Sequence, residues 1–205
     1  TLTAGGSRLR PATTNYEPAP GHVRGASSAQ RPYPYSRPGS IRTLGAVAEL
    51  PIRRATQSEV PAIAALYLEV AEEVVAREPA LRHVPTSTEV ERRYRSRIAD
   101  PGRSVLVAVM DGSVIGFADA GLQHHEDQGT YDRPGVYAYA EELIVTSAYR
   151  RRGAASALMR ALERWATKAG ARAILLDTHV TNAEARSLYQ ALGYREMGVI
   201  LLKEM

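Results

Sequence analysis

The stretch from Leu143 to Met159 constrains this chain more than any other. Apolar Leu143-Ile144-Val145 runs through Thr146-Ser147-Ala148-Tyr149 into three arginines, Arg150-Arg151-Arg152, and then into Gly153-Ala154-Ala155-Ser156. That order reads as a strand entering a basic turn, with the turn opening a helix. The first turn of a helix leaves several N–H groups without internal partners, and the helix dipole adds partial positive charge there. Together these form an anion site. Residues as small as Gly153, Ala154 and Ala155 let a phosphate approach the backbone, and the arginines surround it with charge. The implied ligand is a diphosphate. The competing reading is a buried helix start beside a solvated arginine cluster. The segment is neither a Walker loop, which needs Gly-Lys-Ser/Thr, nor a three-glycine dinucleotide fingerprint.

The rest of the chain supplies a sheet for this corner. Pro51–Ala55 reads as a short first strand. A helix follows, capped by Thr56 or Ser58, with Ile63, Leu66, Tyr67, Val70 and Val74 at helical spacing to about Ala76. A second helix spans Ser87 to Ala99 and stops at Asp100-Pro101-Gly102. Asp111-Gly112 is a strong two-residue hairpin turn between strands Ser104–Met110 and Ser113–Leu122. A polar loop, His124 to Gly135, leads to a strand over Val136–Val145. Then come a helix over Gly153–Ala169, a buried strand over Ala173–Thr178, a helix over Asn182–Leu192 closed by Gly193, and a final pair of short strands between Tyr194 and Met205. The order predicts an α/β (α+β) fold, a mixed sheet with helices on both faces.

Residues 1–48 differ in kind. They hold six of the twelve prolines and six arginines against one acid, Glu17. The run Arg31-Pro32-Tyr33-Pro34-Tyr35-Ser36-Arg37-Pro38-Gly39 opposes any helix. A disordered N-terminal arm is expected here, with the domain at 49–205. The arm accounts for the chain's net charge of +4, because residues 49–205 carry 20 basic and 21 acidic side chains. The domain is therefore not a nucleic-acid-binding surface by charge. No apolar run suits a membrane span, and Thr1–Arg10 has no signal-like apolar core, so the expectation is a cytoplasmic protein with no membrane partner. The sequence leaves a homodimer open.

Two segments in order resemble a known family. Arg150-Arg151-Arg152-Gly153-Ala154-Ala155 is similar to the acetyl-CoA motif of the GNAT (GCN5-related) N-acetyltransferases, Gln/Arg-x-x-Gly-x-Gly/Ala. Asn182-Ala183-Glu184-Ala185-Arg186-Ser187-Leu188-Tyr189-Gln190-Ala191-Leu192-Gly193-Tyr194 resembles that family's Asn-x-x-Ala-x-x-Leu-Tyr-x-x-x-Gly-Phe/Tyr segment. The resemblance covers about residues 51–205. Arg151 departs from the glycine that many members carry. The resemblance implies acetyl-CoA as co-substrate, and no metal is expected, since the chain has no cysteine and no second histidine cluster accompanies His124-His125. Backbone N–H groups of Arg151 through Ser156 would hold the pyrophosphate, with Arg150 and Arg152 beside them. The backbone of Leu143, Ile144 and Val145 would pair with the pantetheine arm. Asn182 would touch that arm, or else cap its helix. Tyr189 would lie near the cofactor sulfur, or else pack as a helix aromatic.

Acetyl transfer to an amine needs a proton acceptor, an oxyanion donor and an acid for the departing thiolate. The chain has no cysteine, so direct transfer in a ternary complex is favoured over an acyl-enzyme. Glu141 and Glu142 stand in an otherwise apolar strand, where neighbours face opposite sides, so one of them should reach the acceptor cleft. The resemblance favours Glu141, two residues before Leu143, as the base, with Tyr189 as the acid. His124-His125-Glu126-Asp127 reads as a solvated loop or an acceptor border, not a metal centre. Tyr131, Tyr137 and Tyr139 would wall the same cleft, and Asp119, Glu126, Asp127 and Asp132 would suit a cationic acceptor. The expected acceptor is an amine on a small molecule or peptide. The alternatives are a non-catalytic acyl-CoA-binding module and a peptide acetyltransferase that docks substrate on its basic arm.

Overall fold

The structure is a computed structural model that describes residues 50–77, 79, 81–126, 133–198, 200 and 203. The arm, and with it the expected boundary at 48/49, lies outside the described residues, as do Asp127, Tyr131 and Asp132. Five strands form one sheet in sequence order: β1 (Ile52–Arg54), β2 (Arg103–Met110), β3 (Ser113–His125), β4 (Gly135–Val145) and β5 (Ile174–Leu176). The first four pair antiparallel, and β5 pairs parallel with β4. Four α-helices complete the fold: α1 (Val60–Arg77), α2 (Ser87–Ala99), α3 (Ala154–Lys168) and α4 (Ala183–Ala191). No described helix is long and apolar enough to cross a membrane.

Local chemistry explains most element ends. Thr56 and Thr86 each form a capping box with a glutamate three residues on, Glu59 and Glu89, so two N–H groups at each start find partners. Asp111 and Gly112 have φ of 50° and 77°, the left-handed pair a tight hairpin needs. β3 continues past the expected Leu122, because His124 and His125 pair with Val136 and Gly135. The histidines therefore sit on a strand, and the His125 ring packs 4.8 Å from that of Tyr137.

Each sheet face has its own core. On one, α1 and α2 cover Val105, Val107, Phe117 and Ile144 with Val60, Ile63, Leu66, Val90 and Tyr94. On the other, α3 lays Leu158, Met159 and Leu162 over Leu106, Ala108, Ala118, Ala120, Ala140 and Val145. Burying one such aliphatic side chain contributes about 1.5–3 kcal/mol. Ala118, Ala120, Ala138 and Ala140 are all completely or almost completely buried, and their small size lets α3 lie close to the sheet.

The C-terminal side departs from expectation in the strand after α3 and in the first half of the final pair. The strand after α3 has three half-buried residues rather than six buried ones, and β4 is its one partner among the described strands. Tyr194–Gly198 forms no strand. In this segment Glu196 pairs with Arg186 of α4, at 2.6 Å. Most of residues 199–205 lie outside the described set.

Candidate active site

The site grows from an irregularity in β4. Asp119 of β3 pairs with Glu142, but the next residue, Ala120, pairs with Ala140. Glu141 is thus the extra residue of a β-bulge, which breaks the ladder and re-aims its side chain. Simple alternation fails here. Ala140 faces α3, Glu141 and Glu142 both reach the side chains of α2, and Leu143 returns to the α3 face. The expectation that the two glutamates part to opposite faces is corrected by this bulge.

Their environments differ instead. Glu141 accepts from Arg97 Nη2 and Arg103 Nη2. Burial pushes its carboxyl up, but the two guanidinium groups outweigh that and hold it below the usual carboxylate range. Among the described residues Glu142 makes one ion pair, with Arg93 at 3.8 Å. Burial under α2 pushes it up to about 7, against the pull of Arg93 and Arg97. The elevated proton affinity sought in this pair belongs to Glu142. Asp119, completely buried, is bracketed by Arg97 and Arg103, yet burial still raises it. Asp119 is therefore a member of this network rather than a free wall of a cleft.

Past Ala140, β4 and β5 separate. β5 pairs with Ala138, Tyr139 and Ala140, and Glu141–Val145 have no β5 partner. Among the described strands, that leaves one backbone edge of β4 open beside the α3 turn. The turn itself is tightly shaped: Arg151 and Gly153 have φ of 62° and 86°, and Gly153 is the N-cap of α3. A Cβ on Gly153 would meet nothing within 4 Å, so the space over the helix start is clear. Left-handed residues in succession with helical ones turn backbone N–H groups to one side, which suits an anion. Ala154, Ala155 and Ser156 follow directly, in the first helical turn.

The three arginines do three different things. Arg150 folds back so that its Nε donates to the Val145 carbonyl at 3.1 Å, fixing the turn to the strand. Arg151 reaches Glu184 of α4 at 3.2 Å, an exposed pair of small energetic worth. Arg152 lies over the Tyr149 ring at 5.4 Å. The turn is also tied to α1, because Glu69 accepts from the Ser147 N–H at 2.8 Å and the Thr146 hydroxyl at 3.1 Å. Backbone hydrogen bonding from Ser147 lowers the Glu69 carboxyl, against a smaller push from burial.

Asn182 caps α4, accepting from Ala185 N–H at 3.3 Å. Tyr189 is half-buried on α4, its ring 5.7 Å from that of Tyr194. Burial, with the charges of Asp177 and Glu142, pushes its hydroxyl up to about 12, so it stays protonated. Across the divergence, the Tyr139 hydroxyl donates to Asp177 Oδ2 at 2.9 Å. Tyr139 was foreseeable as a wall; Asp177 was not, since its one signal is its place just after the short strand β5. Arg93, Arg97 and Arg103 were likewise missed. The spacing of Arg93 and Arg97, one helical turn apart on α2, was the available hint. Among the described residues, no group of three or more His, Asp or Glu side chains could hold a metal ion.

A sequence-family model, the Acetyltransferase (GNAT) family, matches residues 67–194. An aminoglycoside N(6')-acetyltransferase type 1 from Salmonella typhimurium is 38% identical over 90 residues, which span 44% of this chain and 61% of the relative. The N-acetylaspartate synthetase of Homo sapiens is 32% identical over 110 residues, 54% of this chain and 32% of that protein. The chain thus spans under two thirds of the length of these relatives. Among solved structures, a mutant of the BH1408 protein from Bacillus halodurans overlays with a TM-score of 0.71 at 20% identity, covering 76% of this chain and 99% of the other. The aminoglycoside acetyltransferase AAC(6')-Iy, solved with a CoA bisubstrate analogue, overlays at 0.58 and 23% identity over 77% of this chain and 99% of that one. With the split of β4 from β5, the α3 turn and a family match over more than half its length, the chain belongs to the GNAT acetyltransferase family.

Proposed function

We propose that the chain transfers an acetyl group from acetyl-CoA directly to a primary amine of a small, cationic molecule. The observation that carries this reading is the open edge of β4 over 141–145, which ends at the left-handed turn opening α3. The edge of Leu143, Ile144 and Val145 away from β3 can take up the amides of a pantetheine arm. The N–H groups from Arg151 to Ser156 face where a pyrophosphate would sit, with Arg150 and Arg152 framing the turn. Asn182 holds the start of α4 beside that arm. Bound acetyl-CoA supplies an activated acyl group; the chain supplies proton management and position.

An alkylammonium must lose a proton before it attacks, and Glu142, near neutral in proton affinity, suits that task better than ion-paired Glu141. Tyr189 keeps its proton to above pH 10 and can give it to the departing thiolate. The chain has no cysteine to carry an acyl group, in keeping with direct transfer. Asp177, exposed and held by Tyr139, offers a carboxylate to a second ammonium of the acceptor. Aminoglycosides, on which the Salmonella relative is named as acting, have that character.

The test is CoA release from acetyl-CoA with aminoglycosides, polyamines, amino acids and peptides as separate acceptor panels. Turnover with polycationic small molecules supports the reading. Turnover with amino acids alone would move the acceptor to the anionic class of the N-acetylaspartate relative. CoA binding without turnover on any panel would favour a binding module.

A further inference from the structure

Resting on the reading of Glu142 as proton acceptor, we infer that Asp119 and Glu141 are positioning residues: they occupy Arg97 and Arg103, and so keep both guanidinium groups off Glu142. Three arginines and three carboxylates meet beneath α2. Arg97 gives Nη1 to Asp119 Oδ2 and Nη2 to Glu141 Oε2. Arg103 gives Nη2 to Asp119 Oδ1, at 3.2 Å, and to Glu141 Oε1. All four oxygens of Asp119 and Glu141 are thereby engaged, and two positive charges are matched by two negative ones.

Glu142 is left outside this quartet. Its cation is Arg93, at 3.8 Å, beyond ordinary hydrogen-bond distance. Arg93 is held back by two rings, 4.6 Å from the centroid of Tyr67 and 5.4 Å from that of Tyr94. The groups facing Glu142 are therefore Arg93, Tyr94 and Arg97 from α2, Asp119 from β3, Glu141 from β4 and Tyr189 from α4. The quartet is close to neutral as a whole, so burial rather than a nearby cation governs the Glu142 carboxyl. Sequence features serve the partition. Gly121 lies against Arg103, where a Cβ would come within 2.8 Å of Nη1, so a side chain there would push the guanidinium out of the quartet. The bulge places Glu141 beside Glu142 rather than on the far face.

The test uses the full chain and its Glu141→Gln and Asp119→Asn variants, with Glu142→Gln as reference. Side-chain carboxyl titration by NMR, on protein labelled with 13C-glutamate, follows Glu142 without substrate; its signal is the one missing from Glu142→Gln. The wild-type midpoint is expected at about 7. In Glu141→Gln, Arg97 Nη2 loses its partner and is free to turn to Glu142, and a neighbouring negative charge is gone. The midpoint should fall by about one pH unit or more, and the acid limb of kcat/KM should move with it. Asp119→Asn should move both the same way. Should the Asp119 variant fail to fold, Glu141→Gln decides alone, since that side chain is 30% exposed. A midpoint that stays put or rises in the folded variants overturns the inference. A wild-type acid limb in Glu142→Gln overturns the base assignment instead, while the NMR midpoints still judge the partition of the arginines.

Discussion

Glu69, in the third turn of α1, accepts the backbone N–H of Ser147 at 2.8 Å and so ties the helix on one sheet face to the turn that opens the helix on the other. Glu69→Ala should loosen the start of α3 without touching ligand. The expected result is a rise of about 3- to 10-fold in the CoA dissociation constant by calorimetry. The melting temperature should fall by only a few degrees, because the carboxylate is exposed. Unchanged CoA affinity would show that the turn holds its shape through Arg150 alone.

Gly153 combines a left-handed φ with clear space above it. Gly153→Asp should abolish CoA binding, since it sets negative charge and bulk where a diphosphate would lie. Gly153→Asn is the control, because Asn tolerates left-handed backbone and adds no charge. Equal loss in both would trace the effect to bulk rather than charge.

Tyr189→Phe should lower kcat by about 10- to 1000-fold and leave the acetyl-CoA dissociation constant close to that of the wild type. The Tyr189 hydroxyl, pushed up to about 12, should contribute no alkaline limb below pH 10 in wild-type profiles. Full activity in the variant would assign the proton to water.

Asp177→Asn should raise KM for a diamine acceptor several-fold more than KM for a monoamine of the same length, because only the former has a second ammonium to lose. The ratio of the two KM changes is the measurement. A ratio of one removes Asp177 from acceptor recognition.

Glu59 supports stability at neutral pH. Arg53, which donates to it at 2.6 and 2.9 Å, is the main cause holding its carboxyl down to about 2, with the Thr56 N–H helping. A carboxyl lower in the folded than in the unfolded chain stabilises above the unfolded value, and the gain fades as pH falls through the folded one. Glu59→Gln should therefore lower stability by about 1 kcal/mol at pH 7. The gap from wild type should shrink steadily below pH 4.5 toward pH 2 in denaturant titrations.

Most of the architecture was legible because its signals are local. Ser87 with Asp100-Pro101-Gly102 bounds α2, Asp111-Gly112 makes the hairpin, and the arginine-glycine-alanine run opens α3. What was not legible depends on residues far apart in sequence. The α2 arginines meet β3 and β4 through packing alone, and the extra residue in β4 shows only against the register of β3. The length of β5 is set by where β4 leaves it, which no pattern within residues 173–178 encodes.

The bulge at Glu141 makes β4 a strand of two parities. Up to Ala140 the even-numbered residues look toward α3; from Leu143 the odd-numbered ones do. Deleting Glu141 would close the bulge and restore a single parity, leaving Ala140, Leu143 and Val145 on the α3 face and Ile144 on the other, at the loss of the carboxylate that holds Arg97 and Arg103. Elsewhere along β4 a one-residue change would flip every side chain beyond it, so a design that lengthens or trims the strand away from this joint must change it by two residues to keep both cores intact.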